Sequence, residues 1–274
     1  MDRVEIIAVG NEILTGDVLD SNSNWLARAV TLLGGEVARC VAVRDLGDEI
    51  VREVRAAMAN RARVVITTGG LGPTFDDRTL EAVAKALHRP LVLHAEALEW
   101  VIQKYEEFKK RGYIDSDDIT PSREKMAHLP DGSTPLPNPV GAAPGVMVEP
   151  RGVTLFCLPG VPAEMKAIFE EEVEERLKSI FGDKVFVERN VTTDVGDESK
   201  LVPLVDAVMK EVNGVYLKSK PTHFGKGVRI GVRITTSGED EEELKAKVEK
   251  AIAELERQLK KTGYSIVDPR HIPP

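Results

Sequence analysis

Val64-Val65-Ile66-Thr67-Thr68-Gly69-Gly70-Leu71-Gly72-Pro73-Thr74-Phe75-Asp76-Asp77-Arg78-Thr79 is the stretch that decides how this chain is read. It opens as an apolar run that reads as a buried strand. The residues after it, Leu80 to Leu87, carry apolar side chains at helical spacing. Glycine has no Cβ, so a backbone N–H in the intervening loop comes close to a ligand. A helix N-terminus adds unpaired N–H groups and about half a positive charge. Strand, glycine-rich loop and helix in that order favour an anion. Asp76 and Asp77 would repel a bare phosphate, but they fit if a divalent cation (Mg, Mn or Co) lies between them and the phosphate oxygens. The stretch therefore points to a phosphate-containing ligand with a metal.

Outward from this loop, strands and helices alternate. Residues 4–9, 36–43 and 63–67 read as strands. Residues 21–33 and 49–59 read as helices, the first with Ser21 or Ser23 as its N-cap. Right-handed crossovers then predict a three-layer α/β/α domain with a mostly parallel sheet. Ligands of such sheets bind beyond the carboxyl ends of the strands. Gly10-Asn11-Glu12 and the glycine-rich loop both fall at such ends. Residues 94–128 form a more polar helical insertion. Short strands at 146–148 and 153–158 follow a stiff turn, Asn138-Pro139-Val140-Gly141-Ala142-Ala143-Pro144-Gly145. Leu158-Pro159-Gly160-Val161-Pro162-Ala163-Glu164-Met165 then makes another strand-turn-helix.

Composition changes after Phe181-Gly182-Asp183. The remainder reads as strand 185–191, helix 199–212, an antiparallel pair at 215–219 and 228–235, a charged helix at 239–261 and a short strand at 265–267. This divides the chain into domains 1–182 and 183–274, the second a smaller α+β unit. The tail from Pro269 onward is expected to fray.

At 42% hydrophobic residues the chain has enough apolar surface to fold. Its net charge of −8 argues against a general electrostatic attraction to nucleic acid. No apolar run reaches the roughly 18 residues that span a bilayer, and the N-terminus lacks a signal-peptide layout. A soluble, cytoplasmic protein is the expectation. Cys40 and Cys157 each lie in an apolar run and read as buried small hydrophobes. Glutamine is confined to Gln103 and Gln258 amid abundant Lys, Arg and Glu, a balance that suits a thermophile.

Four segments together, Gly10-Asn11-Glu12, Thr68-Gly69-Gly70-Leu71-Gly72-Pro73-Thr74 with Asp76-Asp77, Asn138 to Gly145, and Leu158 to Met165, closely resemble the CinA family. More broadly they resemble the molybdopterin-binding (MoaB/MogA-like) superfamily. The resemblance covers roughly residues 1–180, and the segment after 185 looks like the KH-like second domain of CinA proteins. It does not extend to the deamidase domain of full-length bacterial CinA proteins, so that activity is not expected. For the first domain the resemblance implies either metal-dependent hydrolysis of a nucleotide-sugar pyrophosphate, of the ADP-ribose pyrophosphatase kind, or molybdopterin binding with adenylyl transfer. It also implies a homodimer.

Roles follow for the candidate residues. Gly69, Gly70 and Gly72 would bring amides to a phosphate. Thr74 would donate to an oxygen or cap the next helix. Asp76 and Asp77 would ligate metal and serve catalysis, or merely complement a helix N-terminus. Glu12 is a candidate general base or further ligand, and Asn11 a positioning residue. Asn138, Gly141 and Gly145 would shape the pterin or nucleotide pocket. Glu164 would contact metal or ribose, or balance its helix dipole. Metal-assisted hydrolysis needs no covalent nucleophile, and neither a nucleophile elbow nor a P-loop occurs.

In the second domain, Phe224-Gly225-Lys226-Gly227 has the wrong spacing for a nucleic-acid-gripping KH loop. Lys218, Lys220, Lys226, Arg229 and Arg233 read as a solvated strand edge. The leading reading is an ADP-ribose pyrophosphatase-like hydrolase. Its competitors are a molybdopterin-binding or cofactor-biosynthesis protein and a non-catalytic dimeric binding module.

Overall fold

A computed structural model describes residues 2–221 and 229–267. The Phe224 to Gly227 segment, with Lys226, His223 and the tail from Pro269, lies outside the described residues. The chain divides into two compact units. The first holds residues up to Thr31 together with Gly35–Gly182, and the second holds Leu32–Gly34 with the chain from Asp183.

The first unit alternates as its apolar periodicity predicts. Strand β1 (Arg3–Val9) leads to the one-turn helix α1 (Asn11–Thr15) and to α2 (Ser21–Leu32). Then come β2 (Glu36–Val43), α3 (Gly47–Ala59), β3 (Val64–Thr68) and α4 (Thr79–Leu87). The insertion is framed by two short strands, β4 (Leu91–Leu93) and β5 (His128–Pro130), around α5 (Ala95–Lys110) and α6 (Pro121–Glu124). Strands β6 (Thr134–Leu136), β7 (Gly145–Val148) and β8 (Thr154–Leu158) and helices α7 (Pro162–Ile168) and α8 (Glu174–Phe181) complete the unit.

The main sheet has the order β2-β1-β3-β8-β7-β6. Strands β2, β1, β3 and β8 are parallel, while β7 and β6 are antiparallel additions. Strands β3 and β8 are buried along their whole length, as parallel strands covered on both faces must be. On one face Ile7, Val65 and Leu155 pack with Ile50, Val54 and Val83 of α3 and α4. The alternate residues Ile6, Ile66 and Phe156 are equally buried, as are Leu26, Met165 and Ile168 of α2 and α7. Ala8, Thr68 and Leu158 are in register, so β1, β3 and β8 end level. The chain leaves β1 to one side for β2 and then returns to the other for β3. That reversal opens a crevice between the ends of β1 and β3, where ligands of such sheets bind.

The second unit contains β9 (Val185–Thr193), α9 (Glu198–Glu211), β10 (Tyr216–Pro221), β11 (Ile230–Gly238), α10 (Glu241–Lys261) and β12 (Ile266–Val267). Its antiparallel sheet has the order β10-β11-β9-β12. Leu244, Val248, Leu255 and Leu259 of α10 and Leu201, Val205 and Val208 of α9 supply its core.

Several local expectations need correction. Neither serine caps α2: the Asp20 carboxylate accepts from the Ser23 amide at 2.9 Å. Cys40 is exposed rather than buried, because β2 is the sheet's outer strand. Cys157 is buried, and burial pushes its thiol pKa up to about 12. The β4–β5 ribbon escapes a sequence reading because Leu91, Val92 and Leu93 are apolar yet all exposed. Among the described residues, no helix is long and apolar enough to cross a membrane.

Candidate functional site

A cavity of about 620 Å³ opens at the level ends of β1, β3 and β8. Its floor is the glycine-rich loop from Gly69 to Thr74, and Asp76 and Asp77 stand beside it. Glu12 enters from α1, Glu164 from the first turn of α7, and Ala142 and Ala143 from the stiff turn. All four chemistry-bearing segments therefore meet on one rim, as the order of strands requires.

The glycines divide into different roles. A Cβ on Gly69 would stand 2.1 Å from the Val9 carbonyl oxygen, and φ there is +105°. Its amide donates to Leu158 O at 2.9 Å and so is not available to a ligand. Gly69 thus lets β1, β3 and β8 end side by side, which corrects its assignment as a phosphate contact. Gly70 makes room for Thr79 Oγ1, which donates to Gly69 O at 2.8 Å. Among the described residues the amides of Gly70, Leu71 and Gly72 have no acceptor within the chain. These three residues line the cavity and carry the loop's unpaired donors.

Thr74 neither caps α4 nor points freely at a ligand. Its hydroxyl lies 2.6 Å from Asp77 Oδ2 and within hydrogen-bond reach of Asp76 Oδ1, and its amide donates to Asp77 Oδ2 at 2.9 Å. The Thr74 hydrogen bond holds the Asp76 carboxyl below the usual range. Helix α4 begins at Thr79, so neither aspartate occupies its first turn, and the dipole account of the pair is set aside.

Two charged residues join the site without having been foreseen. Asp45, just past β2, lines the cavity and accepts from the Asn11 amide at 2.8 Å. Burial raises its pKa, and the charges of Glu12 and Asp76 add to the rise. Asp45 follows a strand's carboxyl end, the same signal that singled out Glu12. Lys125 belongs to the insertion and donates to Thr74 O. Burial lowers its pKa, while Asp77 and Asp76 oppose that shift. Tyr105 and Met126 of the insertion also line the cavity.

Asn11, Asn138, Gly141 and Gly145 lie outside the lining. Asn11 positions Asp45. Asn138 fixes Glu164, donating to Oε2 at 2.7 Å and to Ala143 O at 2.8 Å, while its own oxygen accepts from the Gly141 amide at 2.8 Å. Gly141 leaves space for the Glu164 carboxylate, whose Oε2 would be 2.1 Å from a Cβ there. Gly145 lies buried in β7 against Ile168 and Leu136, where it serves strand packing and not the pocket.

Burial raises the Glu164 pKa, with the Asn138 hydrogen bond and the Lys104 charge opposing. A carboxyl whose pKa is higher folded than unfolded adds stability only while protonated, and that stability is lost as pH rises through the folded value. Glu164→Gln is therefore expected to be more stable than the parent at pH 7, by less than about 1 kcal/mol after solvent screening. The gain should vanish at pH 3. Urea midpoints at the two pH values check this, and an equal gain at both would contradict it.

Glu12, Asp45, Asp76 and Asp77 around one cavity form an acidic wall answered locally by Lys125. Among the described residues no three His, Cys, Asp or Glu side chains are gathered as a ready metal cage. Carboxylate oxygens are the donors a hard divalent cation takes, and Asp76 and Asp77 are the pair that could hold one.

The sequence profile of the probable molybdopterin binding domain matches residues 5–179. The chain belongs to this molybdopterin-binding family. Its relatives include an Aeropyrum pernix protein, 45% identical over 266 residues and 96% of each chain. A Pyrococcus abyssi protein is 42% identical across 90% of this chain and 94% of its own. The crystal structure of CinA from Thermoplasma acidophilum, a protein of unknown function, is 36% identical. It covers 64% of this chain and 98% of its own, with a TM-score of 0.58. The profile's span holds every lining residue of the cavity.

Proposed function

We propose that the cavity binds a phosphorylated pterin of the molybdopterin class together with a divalent cation. The observation that carries this reading is the meeting, at the β1–β3 crevice, of three unpaired loop amides with a wall of carboxylates. Amides alone favour a phosphate, and carboxylates alone exclude one. The two are compatible when a cation balances the charge. A volume of about 620 Å³ lies in the usual range for small-molecule sites.

In this reading the Gly70, Leu71 and Gly72 amides hold the phosphate oxygens. Asp76 and Asp77 would hold the cation, with Thr74 setting their orientation. Lys125 draws the loop toward the insertion through Thr74 O. A bound cation would supply charge neutralisation and polarisation of the phosphoryl group. Glu164, fixed by Asn138, and Tyr105 also line the pocket.

The test is anaerobic co-elution of molybdopterin with the protein on gel filtration, with and without Mg²⁺. Uptake should be strengthened by Mg²⁺ and weakened by about tenfold or more in an Asp76→Ala, Asp77→Ala double variant. No uptake, or equal uptake by the variant, would overturn the proposal. The same protein incubated with ADP-ribose and Mg²⁺, Mn²⁺ or Co²⁺ addresses the hydrolase reading, for which release of AMP is the required signal.

A further inference from the structure

Behind Glu12 lies a second, smaller pocket of about 80 Å³. It shares Val9, Glu12, Gly160 and Pro162 with the main cavity and is completed by Asn22 and Asp20. Asn22 is over nine-tenths buried. Its Nδ2 donates to Gly160 O at 2.8 Å and to Thr68 Oγ1 at 3.0 Å. Thr68 in turn donates to Pro159 O at 2.9 Å. Gly160 O can only accept, so the amide cannot be turned round. Asn22 lines the pocket, and its Oδ1 is buried and without a donor among the described residues. A buried acceptor left unpaired loses its hydration without compensation. The fold holds this one in place with two hydrogen bonds, which is costly unless a donor arrives.

The two charged groups of the pocket, Glu12 and Asp20, are also acceptors, while the Ser21 hydroxyl can accept or donate. Glu12 stands in the wall common to both cavities, and its carboxylate folds back over Gly10, whose Cβ would lie 2.5 Å from Oε1. Asp20 Oδ1 already accepts from the Ser23 amide. Two carboxylates beside a fixed amide oxygen repel phosphate and carboxylate and receive N–H groups. We propose that this pocket takes the donor edge of the ligand's ring: a 2-amino-4-oxopyrimidine edge, with a ring N–H beside an amino group, read by Glu12 and Asn22 Oδ1. Pterins and guanine share that edge. Adenine does not, because its amino group is flanked by ring acceptors. The small pocket admits the edge while the rest of the ring lies in the shared opening. This assigns Glu12 to ring recognition, and it rests on the reading of the main cavity as a phosphorylated-ligand site.

The probes are 6-hydroxymethylpterin, which has no phosphate, GMP and AMP, titrated calorimetrically with Mg²⁺ present. The pterin should bind, and GMP should bind at least about tenfold more tightly than AMP. Glu12→Gln, on an exposed turn, should weaken the pterin and GMP by about tenfold and leave AMP unchanged. Asn22→Leu should do the same provided its unfolding transition stays cooperative. Guanine and pterin sources separate by comparing GMP with the pterin after both are measured in the Asp76→Ala, Asp77→Ala variant, where only the phosphate-bearing GMP should weaken. If GMP and AMP bind equally, or Glu12→Gln changes nothing, the pocket holds a structural water and the proposal fails. If the pterin binds through Glu12 but the aspartate variant leaves GMP unaffected, it is the phosphate and metal reading that fails.

Discussion

Gly69→Ala is expected to destabilise the protein by more than about 3 kcal/mol. The added Cβ would lie 2.1 Å from a backbone oxygen, Val9 O, and no side-chain rotation relieves that contact. The backbone at Gly69 also sits at φ +105°, which an L side chain rarely adopts. Relief requires β1 and β3 to part at their ends. That would strain the Gly69 amide's bond to Leu158 O and the bond from Thr79 Oγ1 to Gly69 O. Because those bonds set the start of α4 and the position of the three free amides, ligand uptake should fall further than stability alone explains. Urea denaturation and molybdopterin co-elution on the folded fraction measure the two effects. A loss under about 1 kcal/mol would show that the strand ends are not locked in this way.

The second large effect is expected far from the cavity. Glu5 is almost wholly buried in β1, and Glu53 of α3 is nearly so. Arg39 of β2 bridges them, 3.3 Å from Glu5 Oε2 and 2.6 Å from Glu53 Oε2. Asn60 Nδ2 adds a bond to Glu5 at 3.0 Å. Arg39→Met would remove the cation shared by two buried carboxylates, leaving Glu53 with Arg52 at 3.0 Å and Glu5 with Asn60. The expected cost is about 3 kcal/mol, the low end for breaking a buried ionic cluster, since Arg39 itself is partly exposed. Burial pushes the Glu53 carboxyl up, but hydrogen bonds from Arg39 and Arg52 hold it below its ordinary value. Such a group stabilises fully above its unfolded pKa and ceases to as pH falls through the folded one. The parent should therefore lose stability below about pH 4.3, and the variant should lose less over that range. Thermal midpoints from pH 7 to pH 3 decide this; parallel curves for parent and variant would refute it.

Much of the site was legible because parallel strands make rim positions predictable. Residues 63–67 read as a buried strand, so whatever follows must stand at a carboxyl end, and Gly69 to Asp77 does once the strand is seen to run over Val64–Thr68. Asp45 was equally open to that rule and was passed over because one acid after a strand carries no motif. Lys125, Tyr105 and Met126 were not legible: they reach the cavity from the insertion, and no periodicity tells where an insertion folds back. Gly69 was misread for a different reason. A sequence shows that a Cβ is missing, but not which atom occupies its place. For Gly141 that atom belongs to Glu164, for Gly72 to Asp77 and for Gly10 to Glu12, each a cavity acid.

The bonds that shape the two pockets span long stretches of chain. Asn22 meets Gly160 across 138 residues, Thr68 meets Pro159 across 91 and Lys125 meets Thr74 across 51. Closing such wide loops is slow compared with winding a helix. During synthesis, then, the ribosome must release the segment bearing Gly160 before either pocket has all its walls. Any ligand of these pockets would thus meet a domain whose sheet is already assembled, and could not act as a template for the early steps.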